Sequence, residues 1–453
     1  MLLTLIQKEV LGQILSVRFY ISFALGCILL VPATYILVED YGLLQREFGP
    51  LVKEGFSVPT GGSTFYLNRK IPRLHILASG LDQNLSLRSH NLMHEGTYFG
   101  ESQFVHNLLG DIFSHLDFVF FINIVGSLLA FTFTFDGISG ERQQGTLRLV
   151  MAHPVQRTLL ILAKFLGSYL SFIISLLPAL MGVVLVLYLH PDVGLKNSDW
   201  VAFLWLLLFA LLNIGVFFML GLFVSCLTRE PKTTLIALMI LWVLLVLAVP
   251  NYSPFVAAKL HPIPAFHQVQ EQVDSLTEGQ RPPVLEQWAY IRSHGGDPRA
   301  FSPEEQREFH AIWRYHRSKF YAKECTKIWE NFFNQMDIQA KMAQYLSLIS
   351  PSATFTYLAT DLSHTGIESE HAFRFATIRF RRRFMVKLDE YIQKTGDRTK
   401  LLHLDKEVAP DFVLPQPMVS EVISTHLPQS LALVVHFFLC FCGAQVVFIR
   451  SSI

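Results

Sequence analysis

His90 and His94 stand four residues apart, a spacing that would put two imidazoles on one helix face and let them share a metal ion. No third ligand follows at a convincing interval and the HExxH order is missing, so no metal is expected in this chain. No GxxxxGK[ST] phosphate loop occurs either, which leaves the chain without the cradle it would need to hydrolyse ATP itself. Spacing alone picks out no Ser/His/Asp set and no paired-carboxylate cleft. Five cysteines are present, Cys27, Cys226, Cys325, Cys440 and Cys442. Four lie in apolar runs, so Cys325 in the polar part has no partner for an internal disulfide. The densest charge is Arg379-Phe380-Arg381-Arg382-Arg383-Phe384, which can meet anionic headgroups or an acidic substrate, or can be a solvated helix face paired with acids such as Asp389 and Glu390. The net charge of +1 gives nucleic-acid binding no electrostatic support.

The elements that would hold such residues are set by hydropathy. The 453 residues are 51% hydrophobic and only 16% charged, against ~25% charged in soluble domains. Apolar runs long enough for a spanning helix, ~20 residues, occur six times. The fold class expected is therefore mainly α: a polytopic membrane protein with six transmembrane helices, an N-terminal interfacial helix and a mainly helical extracytoplasmic domain. Residues 1–18 have helical apolar periodicity and read as the interfacial helix. Residues 19–38 form the first span and 39–114 a first extracytoplasmic insert with short strand-like pieces such as Thr64 to Leu67. Residues 115–250 hold spans two to five and a short helix at 139–153. Residues 251–429 form a second insert of helices, and 430–453 the sixth span and the C-terminus. Within the second insert, Ser302-Pro303-Glu304-Glu305 is a capping box opening a helix that runs to about Leu346. A second helix starts at Ser350-Pro351 and closes at Gly366, and a third runs from Glu370 to Lys394. The few polar side chains inside spans, Asn123, Asn213, His436 and Gln445, can bond between helices at ~0.6–2 kcal/mol each or line a substrate path. Pro32 and Pro178 are expected to kink spans one and three. Mid-depth carboxylates and lysines of the sort ion-coupled carriers use are not seen, so uphill movement would need energy from a partner.

The chain is organised around 135–166, a charged, glycine-punctuated stretch between two of these runs. Arg142, Arg148, Arg157 and Lys164 crowd its membrane ends, and short basic loops stay cytoplasmic. Gly137 and Gly140 permit a sharp turn, Glu141 suits the first turn of a helix, Leu147, Leu149 and Val150 give that helix an apolar side, and Pro154 ends it. The string Gly140-Glu141-Arg142-Gln143-Gln144-Gly145-Thr146-Leu147, followed by His153-Pro154-Val155, Arg157 and Lys164-Phe165-Leu166-Gly167, resembles the type-2 ABC-transporter permeases.

That resemblance implies a permease subunit of an ATP-driven ABC transporter, exporting or extracting a substrate across or from the plasma (inner) membrane. It assigns Glu141, Arg142, Gly145, Thr146, Leu147 and Pro154 to docking a cytoplasmic ABC ATPase, with Arg157 and Lys164 holding the loop to the inner face. It implies two ATPase copies, a second permease as homo- or heterodimer partner, and ATP and magnesium bound by the ATPase, with no cofactor in this chain. The lipid bilayer and an envelope protein on the outer side are further expected partners, and both termini are expected in the cytoplasm. The family usually has short outer loops, so the size of the inserts keeps two other readings open. One is an ATP-driven mechanical or signalling component that transports nothing. The other is a membrane-bound envelope enzyme working from the outer domain.

Overall fold

The computed structural model describes residues 2–450 apart from 55, 58–63, 81–87, 93–95, 100–115, 153–155, 280–284, 397–410, 413 and 415. Six helices are long and apolar enough to cross a membrane: Val17–Glu47, Phe118–Gln143, Arg157–Leu189, Asn197–Leu227, Pro231–Leu260 and Leu427–Arg450. They are called spans one to six. Span four is the centre of the bundle, with 72% of its apolar window buried against 17% for span five. It carries the densest row of buried residues, from Asn213 to Leu222, and packs along span six and the end of span two. The N-terminal helix, Leu2–Ile14, lies along the start of span three with Leu3, Leu11 and Leu15 exposed.

Span five is longer than the sequence reading allowed. Spans two to five were expected to end by residue 250, yet the helix continues through Pro250 to Leu260. A π turn at Val243–Ala248 lies directly before Pro250, and another at Gly26–Leu30 directly before Pro32. A proline ring clashes with the carbonyl four residues back and offers it no N–H. In both helices that carbonyl, of Val246 or Ile28, belongs to the widened turn, which accommodates the ring without stopping the helix.

The polar segments form two layers. Helix Pro303–Phe320 opens on the Ser302 capping box, with Glu305 N–H donating to Ser302 Oγ at 3.3 Å and Ser302 N–H donating to Glu305 Oε2 at 2.6 Å. Through a π turn at Tyr321–Cys325 it runs on as Thr326–Leu346. Helix Ile367–Thr395 lies antiparallel to it, tied by Tyr315–Asp389, Arg382–Glu330 and His371–Asp337 contacts of 2.6, 2.8 and 2.9 Å. Gly396, with φ 69°, closes this helix in the left-handed conformation that glycine adopts at no steric cost. Against it packs a four-stranded antiparallel sheet in the order β1 (Phe56–Ser57), β2 (Thr64–Asn68), β3 (Arg88–Leu92), β4 (Gly96–Phe99). Phe65 of β2 is fully buried, with ring centroids 5.6 and 5.9 Å from Phe380 and Phe384. The first insert is thus one face of the second insert's core.

The helix begun at Ser350-Pro351 departs most from expectation. It ends at Leu362, and Gly366 instead precedes the next helix. Its residues Phe355, Leu358, Ala359 and Leu362 are buried in the same apolar cluster as the spans. Its hydroxyls are satisfied locally: Thr354, Thr356 and Thr360 donate to the carbonyls of Ser350, Ser352 and Thr356. Such back-bonding lets a serine- and threonine-rich helix enter apolar surroundings. Ser350 Oγ also donates to Leu245 O of span five at 2.5 Å.

Candidate functional site: the loop between spans two and three

The stretch from Asp136 to Lys164 forms contacts with every helix end around it. One helix was expected over 139–153. Among the described residues there are two, Ser139–Gln143 and Thr146–Met151, broken at Gly145. Gly145 has φ 73° and open space around its missing Cβ, so the left-handed backbone and not crowding calls for glycine there. Gly137 and Gly140, expected to make the turn, have ordinary φ.

Lys164 is the centre of the site. Its side chain is 4% exposed, and its Nζ donates to Glu141 Oε1 at 2.7 Å and to Glu9 Oε1 at 3.1 Å. One ammonium therefore joins the loop, span three and the N-terminal helix. Next to it Arg18, at the start of span one, makes a bidentate pair with Asp136, 2.8 and 2.6 Å, and lies over the Phe135 ring. Planar pairs of this kind fix orientation as well as distance. Gln13 donates to Phe133 O and to Ser168 Oγ, each at 3.4 Å. Gly167 lets the N-terminal helix approach, since a Cβ there would collide with that of Glu9.

The other side of the loop is tied to the turn between spans four and five. Ser225 Oγ accepts from Ile138 N and Ser139 N at 3.1 and 3.0 Å, and Thr234 Oγ1 donates to Ser139 Oγ at 3.1 Å. Arg142 Nη1 donates to the carbonyls of Cys226 and Thr228 at 3.2 and 2.7 Å. Arg157 Nη1 does the same for span six, reaching Phe448 O at 3.0 Å and Ile449 O at 2.8 Å. The last carbonyls of a helix have no partner within it and carry the negative end of its dipole, so a guanidinium is a fitting cap.

Of the residues assigned to this site, Glu141 and Lys164 are thus bonded to each other, while Arg142 and Arg157 tie the loop to the ends of spans four and six. Thr146 bonds locally to Glu141 O at 3.3 Å. Leu147 is buried, and Leu149, expected on the same apolar side, points the other way and is 69% exposed. The loop's outward surface is Gln143, Gln144, Gly145, Arg148 and Leu149. Pro154 lies outside the described residues.

The remaining candidates separate. Arg381 is buried, with its guanidinium 4.0 Å from the Tyr321 ring centroid, and is a core residue instead of a headgroup contact. Arg382 pairs with Glu330, while Asp389 pairs with Lys319 at 2.8 Å and not with the arginine run. Arg379 and Arg383 are exposed. His90 is on strand β3, so the helix face it was to share with His94 does not exist, and His94 lies outside the described residues. Among the described residues no group of metal-ligating side chains assembles. The sequence reading missed Glu9, Arg18, Asp136, Ser139 and Ser225, which complete the junction. Glu9 and Asp136 carried a usable signal, as acids facing a basic loop from apolar stretches.

No curated protein matches the chain. A family model described as ABC-2 family transporter protein matches residues 3–449, from the N-terminal helix through the last span. With six spans and a match of nearly the whole length, the chain belongs to the ABC-2 transporter family and is a membrane-embedded permease.

Proposed function

We propose that this permease is driven by a separate cytoplasmic ATPase that docks on the exposed edge of the loop, Gln143, Gln144, Arg148 and Leu149. The single observation supporting this most directly is Leu149, a large apolar side chain 69% exposed beside Arg148 on a loop whose Asp136, Glu141, Arg142, Arg157 and Lys164 are engaged internally. A push at that edge would pass through Lys164, Arg142 and Arg157 to the N-terminal helix and to spans three, four and six. Glu141 then acts by holding the loop to span three, not by touching the partner. Two ATPase copies and a second permease would complete the assembly, with ATP and magnesium held by the ATPase subunits. Basic short connections at 136–157 and 228–232 support a cytoplasmic loop and cytoplasmic termini in the inner membrane. Export or extraction of a substrate is the activity this arrangement suits. The long antiparallel helices at 303–346 and 367–395 also suit a mechanical device with the same docking edge.

The test is a pair of leucine substitutions. Leu149→Asp should reduce co-purification of the ATPase at least about tenfold, the effect of losing an anchor worth ~1.4 kcal/mol, with the permease's thermal stability unchanged. Leu147→Asp, on the buried side, should destabilise the permease itself. An ATPase retained fully by Leu149→Asp would sink the docking assignment.

A further inference from the structure

A cavity of 350 Å³ opens between the end of span five and the helices Thr326–Leu346, Pro351–Leu362 and Ile367–Thr395. Two bonds along span five give its depth. Gln339 Nε2 donates to His261 O and Ser350 Oγ to Leu245 O, so helix Thr326–Leu346 descends along the span toward the loop side of the bundle. Helix Pro351–Leu362 then turns back, and Leu362 shares a wall with Asp199 at the opposite end of span four. The cavity lies beside Pro254, about 34 Å of helix from the start of span five at Pro231. A second path agrees: Leu245 is about 21 Å along the span, and Tyr357 on the returning helix is about 10 Å farther than Ser350. Against a hydrocarbon core of ~30 Å, the cavity stands at the headgroup border of the leaflet opposite the loop. Tyr252 and Tyr345, exposed on the same two helices, are aromatics of the kind that mark this border.

The wall is mostly apolar. Met336, Ala340 and Ala343 stand three and four residues apart, so one face of the descending helix is turned to the cavity, and the two alanine methyls leave its volume open. Pro254, Tyr357 and Ile367 close the other sides. The charged side chains on the wall are matched within the protein. Glu370 takes Arg69 at 3.1 Å and Arg374 at 2.8 Å, and His371 takes Asp337 at 2.9 Å, which also holds Lys341 at 2.8 Å. A charged occupant would find no unmatched counter-charge here, and water would face apolar carbon. An uncharged chain fits both conditions.

We infer that this cavity holds the acyl tail of a lipid raised out of the leaflet, gripped by the chain and not by the headgroup. An undisturbed lipid keeps its chain end near the bilayer midplane, so a chain end found at the headgroup border identifies a raised tail. The full-length permease, without any ATPase, is reconstituted in dioleoyl phosphatidylcholine vesicles. These are doped with phosphatidylcholine or phosphatidylglycerol carrying a diazirine at the end of one acyl chain, irradiated, and the labelled peptides are identified by mass spectrometry. Residues 336–343 should be labelled with both headgroups at similar yield. Ile240 and Leu244, exposed about halfway along the hydrocarbon length of span five, should be labelled by ordinary lipid in every sample. Ala340→Phe should lower labelling of 336–343 at least about tenfold, the loss expected when about two methylenes no longer find an apolar wall, with labelling at Ile240 and Leu244 unchanged. Met336→Trp, one turn away, should do the same and serves if Ala340→Phe fails to fold. Wild type labelled at Ile240 and Leu244 but not at 336–343 would overturn the inference. So would labelling of 336–343 undiminished in the folded variants, or a yield that differs tenfold between the two headgroups.

Discussion

Beyond the first residue, Arg157, Lys164 is the one charge in the 33-residue helix of span three, and its environment shows how such a charge is kept. A lone ammonium in a bilayer-facing helix is costly. Two carboxylates from different helices, Glu9 and Glu141, make it a fixed junction instead. The sequence showed Lys164, Glu141 and Arg157 as important by type, but it showed them as a surface, because their partners are 155, 23 and 291 positions away. Pairings at that separation leave no local pattern. A second buried ion pair offers a measurable consequence. His426 Nε2 is 3.0 Å from Asp361 Oδ2, and both side chains are under 5% exposed. Burial lowers the His426 pKa, but the Asp361 carboxylate, as hydrogen-bond partner and as charge, then Glu368 and Gln429, leave it above the ordinary 6.5. A histidine with a raised folded pKa stabilises the fold fully below its unfolded pKa, and that contribution fades as pH rises through the folded value. The melting temperature in detergent should therefore fall as pH is raised from about 6 to about 9, and His426→Gln should flatten that part of the profile. A wild-type profile with the opposite slope would exclude the pair as a stabiliser.

Among elements, helix Pro351–Leu362 was the least readable. Its composition is that of a soluble amphipathic helix, and only the three-dimensional fold shows it wedged among spans two, four, five and six. The capping box at Ser302 and the end of the third insert helix near Lys394 were readable, because caps are local chemistry. The β1–β4 sheet was not, beyond strand-like stretches, since pairing is decided by register and not by propensity. The wedge is pinned by a polar relay: Asn213 Nδ2 donates to Asn123 Oδ1 at 3.2 Å, and Asn123 Nδ2 to Thr356 Oγ1 at 2.9 Å. Thr356→Val removes the acceptor and leaves a buried amide without a partner, which should cost roughly 1–2 kcal/mol. Adding Asn123→Leu should cost less in that background than in wild type, the non-additivity of residues sharing one network. Additive losses in thermal denaturation would mean that the relay holds nothing together.

In the whole molecule the loop meets one end of spans four and six, through Arg142 and Arg157, while Asp199 and His426 mark the opposite ends of the same helices. Lengths set a further condition on this arrangement. Span three has 33 residues, about 50 Å of helix, against a hydrocarbon core of ~30 Å. Its far end does not break off: His190 and Asp192 meet Glu39 and Arg46 of the first span's helix, at 3.5 and 2.9 Å. Leu185, Tyr188 and Leu189 nevertheless remain exposed there. A bilayer of ordinary thickness covers so long an apolar rod only if the rod leans or the lipid stretches to meet it. Reconstituted in phosphatidylcholines of increasing acyl length, the protein should melt at higher temperature as the chains lengthen, and the short-chain bilayer should be the poorest host. The permease would in that sense gauge the thickness of its membrane, holding best where the lipid reaches the last apolar turn of span three.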